Sequence, residues 1–380
     1  MNEFKKQFNE VRELLKFDDY ALVVKRIIDF TLDTGQVDFY KKTADLLDWL
    51  DDKPNSADTK QKLDALLDDL YSYLSTKPLG ERNKILEAID LKKAYSPAAF
   101  ALGPVNIELF EGDIIGLVGE NGNGKTTLLR LLCGELFATS GNLNYNFKYD
   151  DKYDRRTKLV YIPQRTDTWR GSMFENLVFT AAMYGYSPDE NHLIVQLTIA
   201  RLGLRKYRQH KWKDLSSGYK MRFELARMLL RKPKVLLIDE PLANLDILAQ
   251  QTVLEDFRAI AKSPFRPLGI ILSSQQLYEV EKTSDQVIFL KHGVQKNLYD
   301  AEAQQTQLVI EFESEWSQSM LNDVLSHFGL VSLQFNGGTY IATFNDATTV
   351  HSFLQLVTER QVPLAYFRDI SNSTRRFFVS

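Results

Sequence analysis

The sequence predicts an α/β architecture, a parallel sheet covered on both faces by helices, preceded by an all-α segment and followed by a small α+β unit. Three observations predict it: short apolar runs alternate with helical stretches through the middle, helix-period stripes without strand signals fill the start, and a βαββαβ order closes the chain. A chain of 380 residues exceeds what one hydrophobic core usually organises. We expect regions at 1–80, 81–300 and 301–380, with a helical insertion at about 168–231 in the second.

In the first region, apolar residues recur at helical spacing in Phe4, Phe8, Val11 and Leu15, then in Leu46, Leu47 and Leu50, and in Leu63, Leu66, Leu67 and Leu70. Gly35 and the 51–56 segment with Pro54 are expected helix stops. Such helices bury their stripes only on one another or on a partner, so a bundle beside the main domain and a protein-docking module both remain open. In the second region, buried strands are expected at 113–118, 158–162, 235–238, 268–273 and 286–290. Extended segments near 85–95 and 105–110 add an antiparallel element, and 173–230 is largely helical. In the third, strands at 308–312, 331–335, 339–344 and 363–369 surround helices at 318–328 and 348–360, with a hairpin turn at Asn336-Gly337-Gly338. This last unit has no cluster of His, Cys or paired carboxylates and reads as regulatory or partner-contacting.

Composition narrows the function. The chain is 44% hydrophobic and 26% charged with a formal net charge of -3, which argues against a broad electrostatic grip on nucleic acid. No run approaches the roughly 18 apolar residues of a membrane span, and the charged start MNEFKKQFNE is unlike a signal peptide. The single Cys133, among Leu128, Leu129, Leu131 and Leu132, reads as a buried structural thiol in a reducing compartment. A soluble, cytoplasmic chain is expected.

Residues 119–127, Gly-Glu-Asn-Gly-Asn-Gly-Lys-Thr-Thr, fit the phosphate-loop pattern GxxxxGK followed by Ser or Thr, directly after an expected strand and before an expected helix at 127–133. The glycines allow successive N–H groups to converge on phosphate oxygens, and the helix N-terminus adds partial positive charge. Asn121, Gly122, Asn123, Gly124, Lys125, Thr126 and Thr127 are therefore candidate nucleotide-binding residues. Lys125 is placed to bridge the β- and γ-phosphates and Thr126 to ligate Mg²⁺. The run Val235-Leu-Leu-Ile-Asp239-Glu240-Pro241 is an apolar strand ending in two acids. Asp239 is the expected metal ligand and Glu240 the expected base toward water, on opposite sides if strand alternation continues.

In these motifs the chain resembles the ATP-binding cassette (ABC) family over roughly 80–300. The resemblance implies a P-loop NTPase, RecA-like core that binds and hydrolyses ATP with Mg²⁺. Leu215-Ser216-Ser217-Gly218-Tyr219, followed by an expected helix at 222–230, is similar to the signature LSGGQ. That similarity implies that Ser216 and Gly218 close on nucleotide held by a second copy, making a dimer with two ATP-Mg at its seam. Gln164 is similar to the glutamine that senses metal and water, and Asn244-Leu245-Asp246 to the loop along the seam. Tyr95 is similar to the aromatic that stacks on adenine, a contact worth on the order of 1–3 kcal/mol.

Two positions depart from the family. Gln275 in Ile271-Leu272-Ser273-Ser274-Gln275 stands where a histidine is usual; it can donate to a phosphate but cannot take a proton. Ser217 replaces a glycine, which disfavours any positive φ there. Gln275 predicts reduced but not abolished turnover, with a neutral replacement equally open, and Ser217 beside the retained Gly218 is expected to be tolerated. Together the departures favour an ATP-binding clamp that turns over slowly.

The resemblance implies the nucleotide-binding subunit of a transporter, peripheral on the cytoplasmic face, driving a separate membrane subunit. Trp169 to Leu177 resembles the family stretch leading into the helical subdomain, and Asn176 to Tyr186, with the extra C-terminal domain, leans toward exporters. The alternatives are a soluble ABC ATPase acting outside transport and a slow ATP-binding regulatory protein. Catalytic candidates are Glu240, Lys125, Gln164 and Gln275, and metal candidates Thr126, Gln164 and Asp239.

Overall fold

The computed structural model describes residues 3–53, 57–80, 82–96, 101–243, 245–275, 277–296, 307–336 and 338–371. The features read at Pro54, Asn244 and Gly337 lie outside them.

Four helices come first: α1 (Glu3–Lys16), α2 (Tyr20–Thr34), α3 (Val37–Asp52) and α4 (Thr59–Leu74). Asp19 starts α2 by accepting from the Leu22 amide, and Gly35 ends it with a left-handed φ of 65°. Phe4, Phe8, Val11 and Leu15 of α1 meet Val23, Ile27, Leu63 and Leu67 in one cluster. Ile28, Tyr40 and Leu47 turn the other way and join the core of the following domain. The bundle thus shares a core with its neighbour.

Next come β1 (Lys84–Ala94), β2 (Ala101–Phe110), β3 (Ile114–Val118), α5 (Lys125–Leu132), β4 (Ser140–Tyr145), α6 (Lys152–Lys158) and β5 (Leu159–Ile162). The helical stretch α7 (Met173–Met183), α8 (Pro188–Arg201) and α9 (Ser217–Leu229) precedes β6 (Val235–Ile238) and α10 (Ile247–Ala261). Then follow β7 (Gly269–Ser274), α11 (Leu277–Thr283), β8 (Gln286–Lys291) and β9 (Val294–Lys296). Strand β1 lies between β2 and β4 in an antiparallel sheet. The main sheet has the order β5-β6-β7-β3-β8-β9, parallel except for the edge strand β9.

The main strands are unbroken apolar runs because both of their faces are covered. Ile115, Leu117, Leu237 and Ile271 face α5 and the antiparallel sheet. Ile114, Val118, Leu236, Ile238 and Leu272 face α7 to α10. Parallel registry aligns the strand ends, with Val118 opposite Ser274, Ile238 opposite Leu272 and Ile162 opposite Ile238. Everything that follows these strands emerges at one edge, where open α/β sheets hold ligands.

Two helix starts need correction. Helix α5 begins at Lys125, not 127, and α9 at Ser217, not 222. In both, the first turn is polar, so apolar periodicity starts after the helix does. Strands β4 and β9 and helix α6 had no counterpart in the sequence reading. β4 (SGNLNY) and β9 (VQK) have no fully buried residue, and α6 (KYDRRTK) buries none.

The last region contains β10 (Val309–Glu313), α12 (Gln318–Ser326), β11 (Leu330–Asn336), β12 (Thr339–Phe344), α13 (Val350–Glu359) and β13 (Tyr366–Asp369). Its sheet order is β11-β12-β10-β13, all antiparallel, a split βαβ arrangement. Phe312, Phe344 and Phe353 are fully buried between its sheet and helices.

Candidate functional site

The loop after β3 is shaped by glycine where no other residue fits. A Cβ on Gly119 would lie 2.4 Å from the Leu290 carbonyl oxygen, and Gly122 and Gly124 take φ of 83° and 96°. Gly124 caps α5 without a side chain, so the first amides of the helix face the loop's interior. The buried Asn123 fastens the loop by accepting from the His292 amide at 2.9 Å, while Asn121 and Gly122 are exposed.

Lys125, 5% exposed, curls back into the loop. Its Nζ donates to the carbonyls of Gly119 (2.6 Å) and Glu120 (3.2 Å) and lies 3.2 Å from Glu240 Oε1. One residue on, Thr126 Oγ1 donates to Asp239 Oδ2 at 2.6 Å. Asp239 Oδ1 accepts from the Ser273 hydroxyl at 2.6 Å, and the Tyr161 hydroxyl donates to Oδ2 at 3.3 Å. Ser273 also accepts the Glu240 amide at 2.9 Å. Groups that follow β3 and β6, or lie in β5 and β7, thus converge on one carboxylate. Burial, and then the Asp239 charge, push the Tyr161 phenol up, which keeps it a donor.

The strand alternation expected from the sequence does not continue to Glu240. β6 ends at Ile238, and Glu240 adopts a left-handed φ of 51° that costs about 1–3 kcal/mol in a residue with a side chain. That turn brings both acids to the loop, Asp239 to Thr126 and Glu240 to Lys125. Glu240 Oε1 is buried and accepts no aligned hydrogen bond. Its charge is met by the Lys125 ammonium at 3.2 Å, which leaves its lone pairs open to a further donor.

The other candidates fall into separate groups. Gln164, two residues beyond β5, and Gln275, directly after β7, are both exposed, and the strand order places them on either side of Asp239 and Glu240. Thr127 is half-buried in the first turn of α5. Tyr95, 56% exposed, directly follows β1 of the antiparallel sheet, with Lys93 Nζ 5.3 Å from its ring centre. Ser216 caps α9 by accepting the Tyr219 amide at 3.4 Å, and Asp246 caps α10 by accepting the Ala249 amide at 2.9 Å. A Cβ on Gly218 would make ordinary contacts with Leu245 and Ala249, so the starts of α9 and α10 adjoin. Ser217 takes no positive φ, which removes the objection to a side chain there.

Helix α5 lies on one face of the main sheet and α9 on the other. Ser216 and Gly218 are therefore not brought to Lys125 within one chain. One link runs between the segment after β5 and α9: Trp169 Nε1 donates to the buried Glu224 at 2.8 Å and stacks on Trp212. Ser273, Tyr161 and Trp169 escaped sequence reasoning. Ser273 had a usable signal, a polar pair ending an apolar strand. Tyr161 and Trp169 had none, since an aromatic beside a strand reads as packing.

Comparison with known proteins agrees with the loop's chemistry. Residues 102–243 match the ABC transporter family model. A Methanosarcina mazei protein described as an ABC transporter ATP-binding protein is 29% identical over 218 residues, 55% of this chain and 47% of its own length. The spermidine/putrescine import ATP-binding protein PotA of Mycoplasma mycoides subsp. mycoides SC is 30% identical over 224 residues, 56% of this chain and 60% of its own. The chain thus spans about half to three fifths of these relatives. The solved structure of cbiO1 from Clostridium perfringens, part of the ABC transporter complex cbiONQ, aligns with a TM-score of 0.52 and 26% identity. That alignment covers 58% of this chain and 91% of cbiO1.

Proposed function

We propose that this chain, whose residues 102–243 form an ABC-type ATP-binding domain, binds and hydrolyses ATP as the nucleotide-binding subunit of a transporter. The observation that carries the reading is the buried Glu240 Oε1, without a hydrogen bond and 3.2 Å from Lys125 Nζ. A water beside it would donate to a carboxylate able to orient it and take its proton. Lys125 would turn from the loop carbonyls to the β- and γ-phosphates, and the open amides of α5 would receive phosphate oxygens.

The donor set also fits a hard divalent cation. Thr126 and Asp239 would hold Mg²⁺, which keeps most of its coordination for water and phosphate and so needs few protein ligands. Bound there, the ion would neutralise phosphate charge. Gln164 and Gln275, exposed on either side of the acids, would contact metal, water or phosphate from above.

Ser216, Gly218 and Asp246 form a second surface, bordered by Ile247 and Leu248, which are 69% and 75% exposed. A second copy, with its loop placed against this surface, would complete each site. Phe179 and Met183, four residues apart on α7 and both 66% exposed, offer an apolar stripe suited to a helix of a membrane subunit. Among the described residues no helix is long and apolar enough to cross a membrane, so that subunit would be a separate chain. Relatives named for import stand against the exporter lean, and the proposal is transport without an assigned direction.

Glu240→Gln tests the engine. ATP binding should persist and hydrolysis should fall by about 10²-fold or more. ATP should then trap a dimer visible by size-exclusion chromatography. A variant that hydrolyses normally, or neither retains ATP nor dimerises, sinks the reading. Co-purification with an integral membrane protein tests the transport half; recovery with ribosomes or nucleic acid instead would favour a soluble ABC ATPase.

A further inference from the structure

A cavity of about 520 Å³ lies where the N-terminal helices meet the ATP-binding domain. Its walls come from α2, the turn at Gly35 and α3 on one side, and from α8, the end of α9 and the link after α10 on the other. That volume is in the range of sites for small organic ligands, about 300–1,000 Å³.

The seam around the cavity is pinned by charge. Arg201, 4% exposed, bonds Asp29 Oδ1 at 2.6 Å and Asp256 Oδ1 at 2.7 Å. Arg266 Nε and the Ser263 hydroxyl each donate to the buried Asp33 Oδ1 at 2.8 Å. The Arg201 pairs are buried and cost several kcal/mol to break on one side, so the two walls are held in place and the space between them is preformed.

The charges that face the cavity are not evenly committed. Arg201 is used by two carboxylates, and Lys234 pairs with Glu111 at 3.0 Å. Glu190 closes the capping box of α8 with Ser187. Arg266 bonds Asp33 through Nε, which leaves its terminal nitrogens for another acceptor. Lys232 Nζ lies 4.0 Å from the centre of the Tyr186 ring and, among the described residues, has no ion-pair partner. Charged donors without an acceptor in this wall, among the described residues, are thus the Lys232 ammonium and the terminal nitrogens of Arg266.

The remainder of the lining suits an apolar body. Leu32, Ile194, Leu230, Ile260 and Leu268 line it, with the rings of Tyr40 and Tyr186. Burial is the main cause that pushes both phenols up, Tyr186 to about 12, so both stay protonated donors at neutral pH. Asp29 Oδ2, buried and without a hydrogen bond, offers one further acceptor.

We propose that this cavity binds a small organic anion with an apolar or aromatic body, its charge toward Lys232 and Arg266 and its body between α2 and α8. Arg201, Lys232, Lys234 and Arg266 outnumber Asp29 and Glu190 in the lining, so the balance of charge disfavours a cation, and an uncharged apolar molecule would leave Lys232 unused. Because both walls are contacted, such a ligand stabilises the seam by mass action. The site is independent of the transport reading, since it uses none of the phosphate-loop residues.

The test is a fluorescence titration of the full chain with 8-anilinonaphthalene-1-sulfonate, an aromatic anion. We expect one saturable site per chain, not displaced by ATP with Mg²⁺. Affinity should fall about tenfold or more in Lys232→Glu, a change at an exposed residue, and similarly for the uncharged analogue N-phenyl-1-naphthylamine. Ile194→Trp, which fills the space, should abolish binding. The proposal is overturned by displacement with ATP, by equal binding of the uncharged analogue, by unchanged affinity in the folded Lys232→Glu variant, or by no saturable binding.

Discussion

Helices α5 and α9 meet the same physical problem, unpaired amides in their first turn, and solve it differently. At α5 the cap is Gly124, which has no side chain to offer, and the amides stay open toward the loop. At α9 the cap is Ser216, whose hydroxyl already accepts the Tyr219 amide at 3.4 Å. The first start is left without a side-chain acceptor; the second has its own, over a long, weak bond. The difference teaches that motifs proposed to serve one nucleotide site need not have equal dependence on nucleotide. The loop half is organised around internal polar contacts that a ligand would replace, while the other half is a finished surface.

Ser273 is the strongest lever on the first half. Its hydroxyl serves both Asp239 Oδ1 and the Glu240 amide, and it is fully buried. Ser273→Ala leaves a buried acceptor and a buried donor unserved, which should cost about 1–3 kcal/mol of unfolding free energy in urea titration. Hydrolysis should fall as well, since Asp239 and Glu240 lose their common support. A loss under about 0.5 kcal/mol would mean that water takes over both bonds and that the cluster is less self-contained than its distances indicate.

That serine also shows where sequence reading stops. Lys125, Thr126, Asp239 and Glu240 were legible because each stands at a fixed spacing from an apolar strand, and the strand ends force their approach. Ser273 comes from a strand more than 30 residues away, and its contact exists only because β7 lies between β3 and β6. Strand order is a tertiary fact. The left-handed φ of Glu240 is hidden for the same reason, since a sequence ending in Asp-Glu-Pro does not disclose which residue turns. β4 and α6 were missed on other grounds: neither buries a residue, so neither leaves a periodic stripe. The four helices of the first region leave stripes, but no pattern in them tells that Tyr40 and Leu47 join the neighbouring core.

The second half of the comparison is tested by Ser216→Ala. Loss of an N-cap costs about 0.5–2 kcal/mol, and a bond of 3.4 Å puts this one toward the lower figure. ATP binding by dilute single copies should be unchanged, because α9 lies across the sheet from the loop. Turnover at concentrations that permit pairing should fall. Equal loss of ATP affinity in dilute and concentrated samples would break the comparison, for it would place Ser216 in the same half as Lys125.

The smallest expected effect concerns Gln275, exposed after β7 beside the acids. An amide side chain donates and accepts hydrogen bonds but neither gains nor loses a proton in the working range. Hydrolysis should therefore show the same pH profile in the native chain and in Gln275→Ala, with only the height of the curve lowered. Gln275→His should add an inflection near the ordinary imidazole value of about 6.5, since its ring would stand in an exposed position. An inflection near neutrality in the native chain that disappears in Gln275→Ala would show that this glutamine governs a proton held elsewhere. The first half of the site would then depend on a group outside the Lys125, Asp239 and Ser273 cluster.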